Sequence, residues 1–340
     1  MLNSFQFTFN DIDRRQLSAV PGNKTWNDFG ARFTRPFTEE GVPAAISTNV
    51  QGRFNAFTRY PLQHFRRNFE FTNRLSWTRG AHSLRFGGNY RRSILDLSEF
   101  FEGDPALVFN GQITGDSGAD LMLGRVFTFR QGSLLVNEPR QHEWGLFAQD
   151  DWRVTQRLTV NLGFRYDPFL PFTDAQNRFS QFRPGVKSTV FPTAPAGTLF
   201  PGDADVPFAA MRSHYNRMSP RFGFAFDPAG KGKMSIRGGY GVFWSQIRQQ
   251  ANNQPSNTQP FAAKFVFNAP ASLTAPYAES GNPWPFTAPT TPEARRSYQF
   301  LRPLTMMPYA ADFANAYMQQ WNVNIQRELF GSWLATAAYV

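Results

Sequence analysis

Residues 157–167 read RLTVNLGFRYD, and apolar and polar side chains alternate along the whole stretch. One parity is entirely apolar or aromatic and comprises Leu158, Val160, Leu162, Phe164 and Tyr166. The other parity carries polar residues, arginine and glycine. Because successive side chains of an extended chain point to opposite faces, this period of two predicts a β-strand with one apolar face.

The same alternation recurs on both sides of this strand. It is found in residues 69–77, 84–90, 222–226, 234–244 and 321–325. No stretch of comparable length follows the helical period of 3.6 residues. The sequence therefore predicts an all-β protein.

Two environments produce such alternation: a soluble sandwich buries its apolar faces, whereas a membrane barrel turns them towards lipid. The barrel is favoured because residues 140–154, 157–168 and 233–244 each allow about ten or more strand residues, against the usual five or six. Aromatic residues also stand near the strand ends, where a membrane interface would place them: Trp77, Trp152, Tyr166, Tyr240 and Trp244. We predict an antiparallel transmembrane β-barrel.

The connections between these segments fall into two size classes. Short turns are predicted at residues 78–82, 155–156, 229–232 and 330–332. Long, proline-rich connections cover about 169–217 and 246–316, and we expect them to be external loops, since outer-membrane barrels combine short periplasmic turns with long external loops. Region 94–139 fits less well, and Asp120 to Gln131 is interpreted as one strand.

Composition excludes several classes of protein. The chain has 340 residues, a net charge of +10 and no cysteine, so disulfide scaffolds and thiol catalysis are excluded. Thirty of its 35 basic residues are arginines, and they are dispersed rather than clustered, so we expect no nucleic-acid partner. The four histidines lack zinc-type spacing. Asp150 and Asp151 are neighbours on a predicted strand and point to opposite faces. We therefore predict no enzymatic activity, metal or cofactor.

Several segments resemble conserved strands of TonB-dependent outer-membrane receptors. Residues 144–154, WGLFAQDDWRV, resemble the QDDW strand of that superfamily, and residues 157–167 resemble its RLTLNLGLRYD strand. Residues 219–227, SPRFGFAFD, and 236–244, IRGGYGVFW, are similar to two further strands. Residues 119–124 and 320–329 look like those of the Oar-like subgroup. Together these motifs extend over about residues 67–340.

This resemblance implies an outer-membrane location in a Gram-negative bacterium and uptake energised by the TonB complex through a plug domain. The implied ligand is a siderophore, an oligosaccharide or a peptide, and the other partner is outer-membrane lipid. No coupling box or plug is visible before residue 67, and fewer strands are present than the about 22 of such barrels. We therefore expect an incomplete barrel section that lacks the plug and C-terminal strands.

Candidate ligand-binding residues lie in the long connection 246–316, because ligand contacts in such receptors come partly from loops. Aromatic faces stack on sugar or chelate rings, and the candidates are Trp284, Tyr277, Asn252 and Gln254. The alternative is that these side chains only stiffen a proline-rich loop.

Two other functions remain open at the level of sequence. One is a passive outer-membrane channel or adhesin, which would have the same barrel without a plug. The other is a soluble carbohydrate-binding β-sandwich.

Overall fold

The computed structural model describes residues 1–17, 20–36, 44–246, 254–257, 259–270, 272–300 and 306–340. In chain order the strands are β1 (Leu2–Gln16), β2 (Ser47–Val50), β3 (Phe54–Phe57), β4 (Leu62–Arg79), β5 (His82–Glu99), β6 (Ala106–Phe109), β7 (Thr128–Gly132), β8 (Leu135–Asn137), β9 (Pro139–Arg153), β10 (Leu158–Tyr166), β11 (Thr173–Asp174), β12 (Gln181–Phe182), β13 (Thr198–Leu199), β14 (Met218–Phe226), β15 (Met234–Trp244), β16 (Lys264–Asn268), β17 (Tyr309–Ala310), β18 (Tyr317–Glu328) and β19 (Leu334–Tyr339). Two short α-helices are α1 (Ser117–Met122) and α2 (Pro292–Ser297), and 3-10 turns cover Pro21–Asn23, Trp26–Phe29, Gln254–Ser256 and Phe330–Ser332.

The principal sheet is an antiparallel meander in the order β1-β4-β5-β9-β10-β14-β15-β18-β19. It contains every strand predicted from the alternation, including β10 at Leu158–Tyr166. β4 and β5 have 18 residues each, more than the about 9–11 residues with which a tilted strand crosses a bilayer. The N-terminal strand β1 was not predicted, although Phe5, Phe7 and Phe9 alternate with polar residues there.

The register sorts side chains cleanly between the two faces of this sheet. Phe164 lies opposite Ala148 and Pro220 on one face. Three residues earlier, Asn161 of the other parity lies opposite Asp151 and donates to its carboxylate at 2.6 Å. One face is thus mainly apolar and the other mainly polar.

The acidic pair in β9 is split between these faces, as predicted. Asp151 accepts a bond of 2.9 Å from Arg85 on the polar face. Asp150 points the other way and bonds to His82 at 2.7 Å, and the His82 ring stacks on Trp152 with centroids 5.3 Å apart. The two carboxylates therefore do not form a joint site.

The apolar face of the sheet is not covered by protein. Phe164 and Val323 both remain 45% exposed, and Ile236 is half-buried. The buried hydrophobic clusters lie instead in the long connections, with Leu95 and Leu97 of β5 as the exceptions. A soluble sandwich would bury this face against a second sheet, so the sandwich alternative is wrong.

Short and long connections alternate between the two ends of the sheet. The turns at residues 80–81, 154–157, 227–233 and 329–333 meet at one end, and the connections 17–61, 100–138, 167–217 and 245–316 meet at the other. This grouping confirms the two size classes expected from sequence. That the long connections are external remains a prediction.

The interpretation of Asp120 to Gln131 as one strand is wrong. Residues 117–122 form α1, which Asp116 caps by accepting from the Ala119 N–H at 2.8 Å. Gly124 then turns the chain at a φ of 63°, a conformation that favours glycine. Only the second part is a strand, β7. Local capping therefore determined this segment more than its apolar content.

The described parts of the long connections are folded and joined to one another. A five-stranded sheet in the order β16-β7-β6-β2-β3 combines three of them, and a small sheet of β13, β12 and β17 combines two. Their arrangement places a set of folded segments at one end of the principal sheet.

A buried carboxylate organises the connection 167–217. Asp203 accepts hydrogen bonds from the Ser188 hydroxyl at 2.7 Å, the Thr189 hydroxyl at 2.8 Å and the Phe200 N–H at 2.9 Å. Burial alone would raise the pKa of Asp203, but these hydrogen bonds outweigh burial and hold the pKa below its usual value. The carboxylate thus ties together two turns of this connection.

Gly87 of β5 provides a test of the packing on the polar face. A Cβ at this position would overlap the carbonyl oxygen of Asn73 and lie 2.6 Å from the Phe147 ring. We expect Gly87→Ala to destabilise the protein by about 1–3 kcal/mol, as overpacking does, measured by denaturant unfolding in detergent micelles. Gly239→Ala is the matched control, because its Cβ would meet nothing closer than 3.6 Å; equal losses in the two variants would contradict this packing.

Candidate ligand cavity

A cavity of about 360 Å³ lies on the polar face of the sheet, next to the end that bears the long connections. Strands β4, β5, β9, β10, β14 and β15 supply much of its wall, and segments of the connections supply the rest. It is lined by Glu70, Asn89, Arg91, Gln141, Glu143, Trp144, Arg165, Asp167, Pro168, Phe169, Leu170, Arg217, Ser219, Arg221, Phe243, Trp244, Ser245, Gln246 and Asn315. The lining combines arginines, carboxylates, amides and aromatic rings.

Two arginines of the wall are neutralised by carboxylates on the same face. Arg91 of β5 donates to Glu143 of β9 at 2.6 Å. Arg165 forms a bidentate pair with Asp167, with both bonds at 2.6 Å, and also donates to Asn89 at 2.8 Å. Bidentate geometry fixes the guanidinium plane, so this part of the wall is ordered.

Gly145 makes room for the second of these pairs. It lies on β9 beside the Arg165 pair, and a Cβ there would overlap Asp167 and lie 2.6 Å from an Arg165 Nη atom. The glycine in the sequence WGLFAQDDW is therefore explained by a charged group that passes across the strand, which is one of the reasons for a glycine within a strand.

The adjoining β14 side of the wall holds two arginines that stack on aromatic rings. The Arg217 guanidinium lies 4.1 Å from the Trp244 ring centroid and 5.6 Å from that of Phe169. Arg221 lies 4.9 Å from the Phe243 ring centroid. Such cation–π contacts stabilise a cation without neutralising it.

The predicted ligand residues Trp284 and Tyr277 lie elsewhere, in the folded connections. Trp284 is buried and donates its indole N–H to Gln131 Oε1 at 2.7 Å. The Tyr277 hydroxyl donates to the same oxygen at 2.6 Å, and burial raises the pKa of Tyr277 to about 12. The structure thus brings these two side chains together on one amide, and their role in ligand binding stays a prediction.

The other two predicted ligand residues, Asn252 and Gln254, belong to the same long connection. Asn252 lies outside the described residues. Gln254 begins the 3-10 turn Gln254–Ser256. Ligand binding by Asn252 and Gln254 also stays a prediction.

The cavity residues were not proposed as a site from the sequence. Arg165 and Asp167 belong to the polar parity of residues 157–167, and this parity was the available signal. No local pattern marks Arg217, because its partners Phe169 and Trp244 are distant in sequence. The contact with Phe169 requires the pairing of β10 with β14, and the contact with Trp244 requires the pairing of β14 with β15.

Neither a metal cluster nor a membrane-spanning helix is present in the described ranges. No group of three or more histidine, aspartate or glutamate side chains there could hold a metal ion. Within the same ranges, no α-helix has the length and apolar character required to span a membrane.

The uncovered apolar face, the polar face and the grouped connections define an outer-membrane β-barrel domain. A family model described as an outer membrane beta barrel domain matches residues 1–340. The chain belongs to this family, and its location is the outer membrane. The apolar face of the principal sheet is accordingly the lipid-facing one, as predicted.

One match among the solved structures is the outer membrane transporter YddB from Escherichia coli. The TM-score is 0.38 at 11% sequence identity, over 96% of this chain and 30% of that one. The chain thus spans less than a third of the length of that transporter. No curated protein matches the chain.

Proposed function

We propose that this domain is the barrel wall of an outer-membrane receptor that takes up a scarce ligand with energy from the TonB complex. The ligand is a siderophore, an oligosaccharide or a peptide, and a plug domain makes the contact with TonB. The sequence motifs at residues 144–154 and 157–167 support the TonB-dependent class because they resemble its conserved strands.

The observation that carries the proposal is the cavity of about 360 Å³ on the polar face. Its wall is ordered by the pairs Arg91–Glu143 and Arg165–Asp167. A general diffusion pore needs only a wet wall, whereas a receptor needs fixed polar groups beside a cavity. The position next to the long connections suits the capture of a ligand before transport.

Energy dependence tests the proposal. Cells that carry the native gene, and cells from which it is deleted, would be supplied with radiolabelled ferric citrate, a maltooligosaccharide and a tetrapeptide. We expect gene-dependent uptake of at least one probe that stops when TonB is deleted. Uptake that needs the gene but not TonB would identify a passive channel instead, and absence of gene-dependent uptake together with lost cell attachment would identify an adhesin.

A further inference from the structure

The arginines of the cavity are not all neutralised. Four arginines line the cavity, namely Arg91, Arg165, Arg217 and Arg221, and three carboxylates, namely Glu70, Glu143 and Asp167. Glu143 pairs with Arg91 and Asp167 with Arg165. Among the described residues, neither Arg217 nor Arg221 has a carboxylate within 4 Å. The positive charge is therefore concentrated on the β14–β15 side.

Glu70 does not offset this charge directly. It lies on β4, and its cross-strand neighbour on β5 is Arg91. The sheet order places β9 and β10 between β5 and β14. Because neighbouring strands are about 4.8 Å apart, Glu70 lies several strands away from Arg221.

Arg217 is buried without being satisfied. The residue is 3% exposed, and its Nε has no hydrogen-bond partner among the described residues. The only hydrogen bond of its guanidinium group to a described residue is a long one of 3.4 Å to the Asn315 carbonyl oxygen. A buried cation with a free donor is costly, so the position requires an explanation.

The surroundings hold the guanidinium group in place. The Trp244 ring that stacks on it is itself fixed, because its indole N–H donates to the Met218 carbonyl at 3.0 Å. Stacking covers the planar faces of a guanidinium and leaves its N–H edge for an acceptor. The edge is therefore preorganised to meet an oxygen anion.

A second unsatisfied atom lines the same cavity. Asn315 donates to the Ser245 carbonyl oxygen at 2.8 Å, but its Oδ1 is buried with no partner in the described part of the chain. Buried polar atoms are nearly always paired. The cavity thus leaves both a donor and an acceptor for a polar guest.

We propose that this cavity binds a soluble anionic ligand through a carboxylate or phosphate group, held by Arg217 and Arg221. The inference rests on the proposed receptor function and narrows its ligand class. The oxyanion would accept from the unsatisfied N–H edge of the stacked Arg217, and Arg221 would add a second positive charge. A purely neutral oligosaccharide would leave both arginines without a counter-charge.

Equilibrium dialysis of the full chain in detergent micelles tests this proposal with radiolabelled citrate, inorganic phosphate and glucose as probes. We expect saturable binding of citrate or phosphate and none of glucose; the stronger oxyanion shows which group the cavity prefers. Arg217→Met and Arg221→Met should each weaken that binding about tenfold or more, the usual effect of losing a charged hydrogen bond. Arg217→Lys, which keeps the charge but not the planar fork, should fall between.

Arg79→Met is the matched control. Arg79 also lies over a tryptophan ring, at 5.7 Å from the Trp77 centroid, but at the short-turn end of the sheet. Its replacement should leave anion binding unchanged. Far-UV circular dichroism and heat-dependent gel mobility would show that each variant is folded, and Arg221→Met covers the case in which Arg217→Met does not fold.

Three outcomes would overturn the proposal: no saturable binding of either anion by the unaltered chain, equal binding of glucose, or equal weakening by Arg79→Met and Arg217→Met. Failure here is distinct from failure of the receptor function. The dialysis needs no TonB. Anion binding together with TonB-independent uptake would therefore contradict only the proposed receptor function. TonB-dependent uptake without anion binding would contradict only the inference that the cavity binds an anion.

Discussion

Replacing Phe164 with arginine should destabilise the membrane-embedded protein by about 2–4 kcal/mol, the cost of a lipid-facing arginine near the bilayer midplane. Phe164 lies on the uncovered apolar face, between Ala148 and Pro220 on the neighbouring strands. Neither neighbour provides a charge to pair with the arginine. Leu162 is a poorer position for this test, because Asp150 lies opposite it and would accept an ion pair.

The measurement is unfolding by guanidinium of protein refolded into phospholipid vesicles. Asn161→Arg is the control, since Asn161 lies on the polar face beside Asp151. The control should lose much less stability, although it gives up one hydrogen bond. Comparable losses in the two variants would mean that the assignment of the faces to lipid and water is wrong.

Replacing Gln131 with methionine should unfold the joined connections while leaving the principal sheet intact. Gln131 is fully buried, and its amide nitrogen donates to the carbonyl oxygens of Thr34 and Gly103 at 2.9 and 3.0 Å. Its amide oxygen accepts from Tyr277 and Trp284. Methionine fills a similar volume but leaves the Trp284 N–H and the Gly103 carbonyl oxygen without this partner, at about 1–3 kcal/mol for each group. The Tyr277 hydroxyl and the Thr34 carbonyl oxygen keep only their long contact of 3.5 Å with each other. We expect a loss of at least about 3 kcal/mol in these connections.

Limited trypsin digestion of the protein in micelles would measure this effect. Cleavage within residues 17–61, 100–138 and 245–316 should accelerate, while the far-UV β-sheet signal persists. Gln112→Met is the control, because Gln112 lies exposed in the same part of the chain. Unchanged resistance to trypsin in the Gln131 variant would show that the amide does not hold the connections together.

The strands were predictable because their pattern is local. In β10 the polarity of each residue alone predicts which face of the sheet its side chain occupies, and the partner strands need not be known. The first strand was missed although Phe5, Phe7 and Phe9 follow the same period. The prediction of one strand over residues 120–131 was wrong because capping by Asp116 and the turn at Gly124 determined the conformation of this segment.

The candidate site was less predictable, since its contacts are long-range. Trp284 and Tyr277 are candidates as aromatic residues of a long connection, and the pairing of β7 with β16 brings them near Gln131. Arg217 likewise meets Trp244 across the sheet. A sequence shows which residues are aromatic or charged, but not which distant ones share a cavity.

Because the connections differ in length between the two ends of the sheet, these ends also differ in stiffness. At the end that bears the long connections, β7 pairs with β16 and β12 pairs with β17. These pairings join separate hairpins, so neighbouring hairpins cannot move apart independently. At the other end, adjacent strands are joined by tight turns, by the backbone ladder and by side-chain bonds between neighbouring strands such as His82–Asp150. Thermal fraying should therefore start at the end with the tight turns and stop where the paired connections begin. The cavity lies beside these paired connections and should keep its shape.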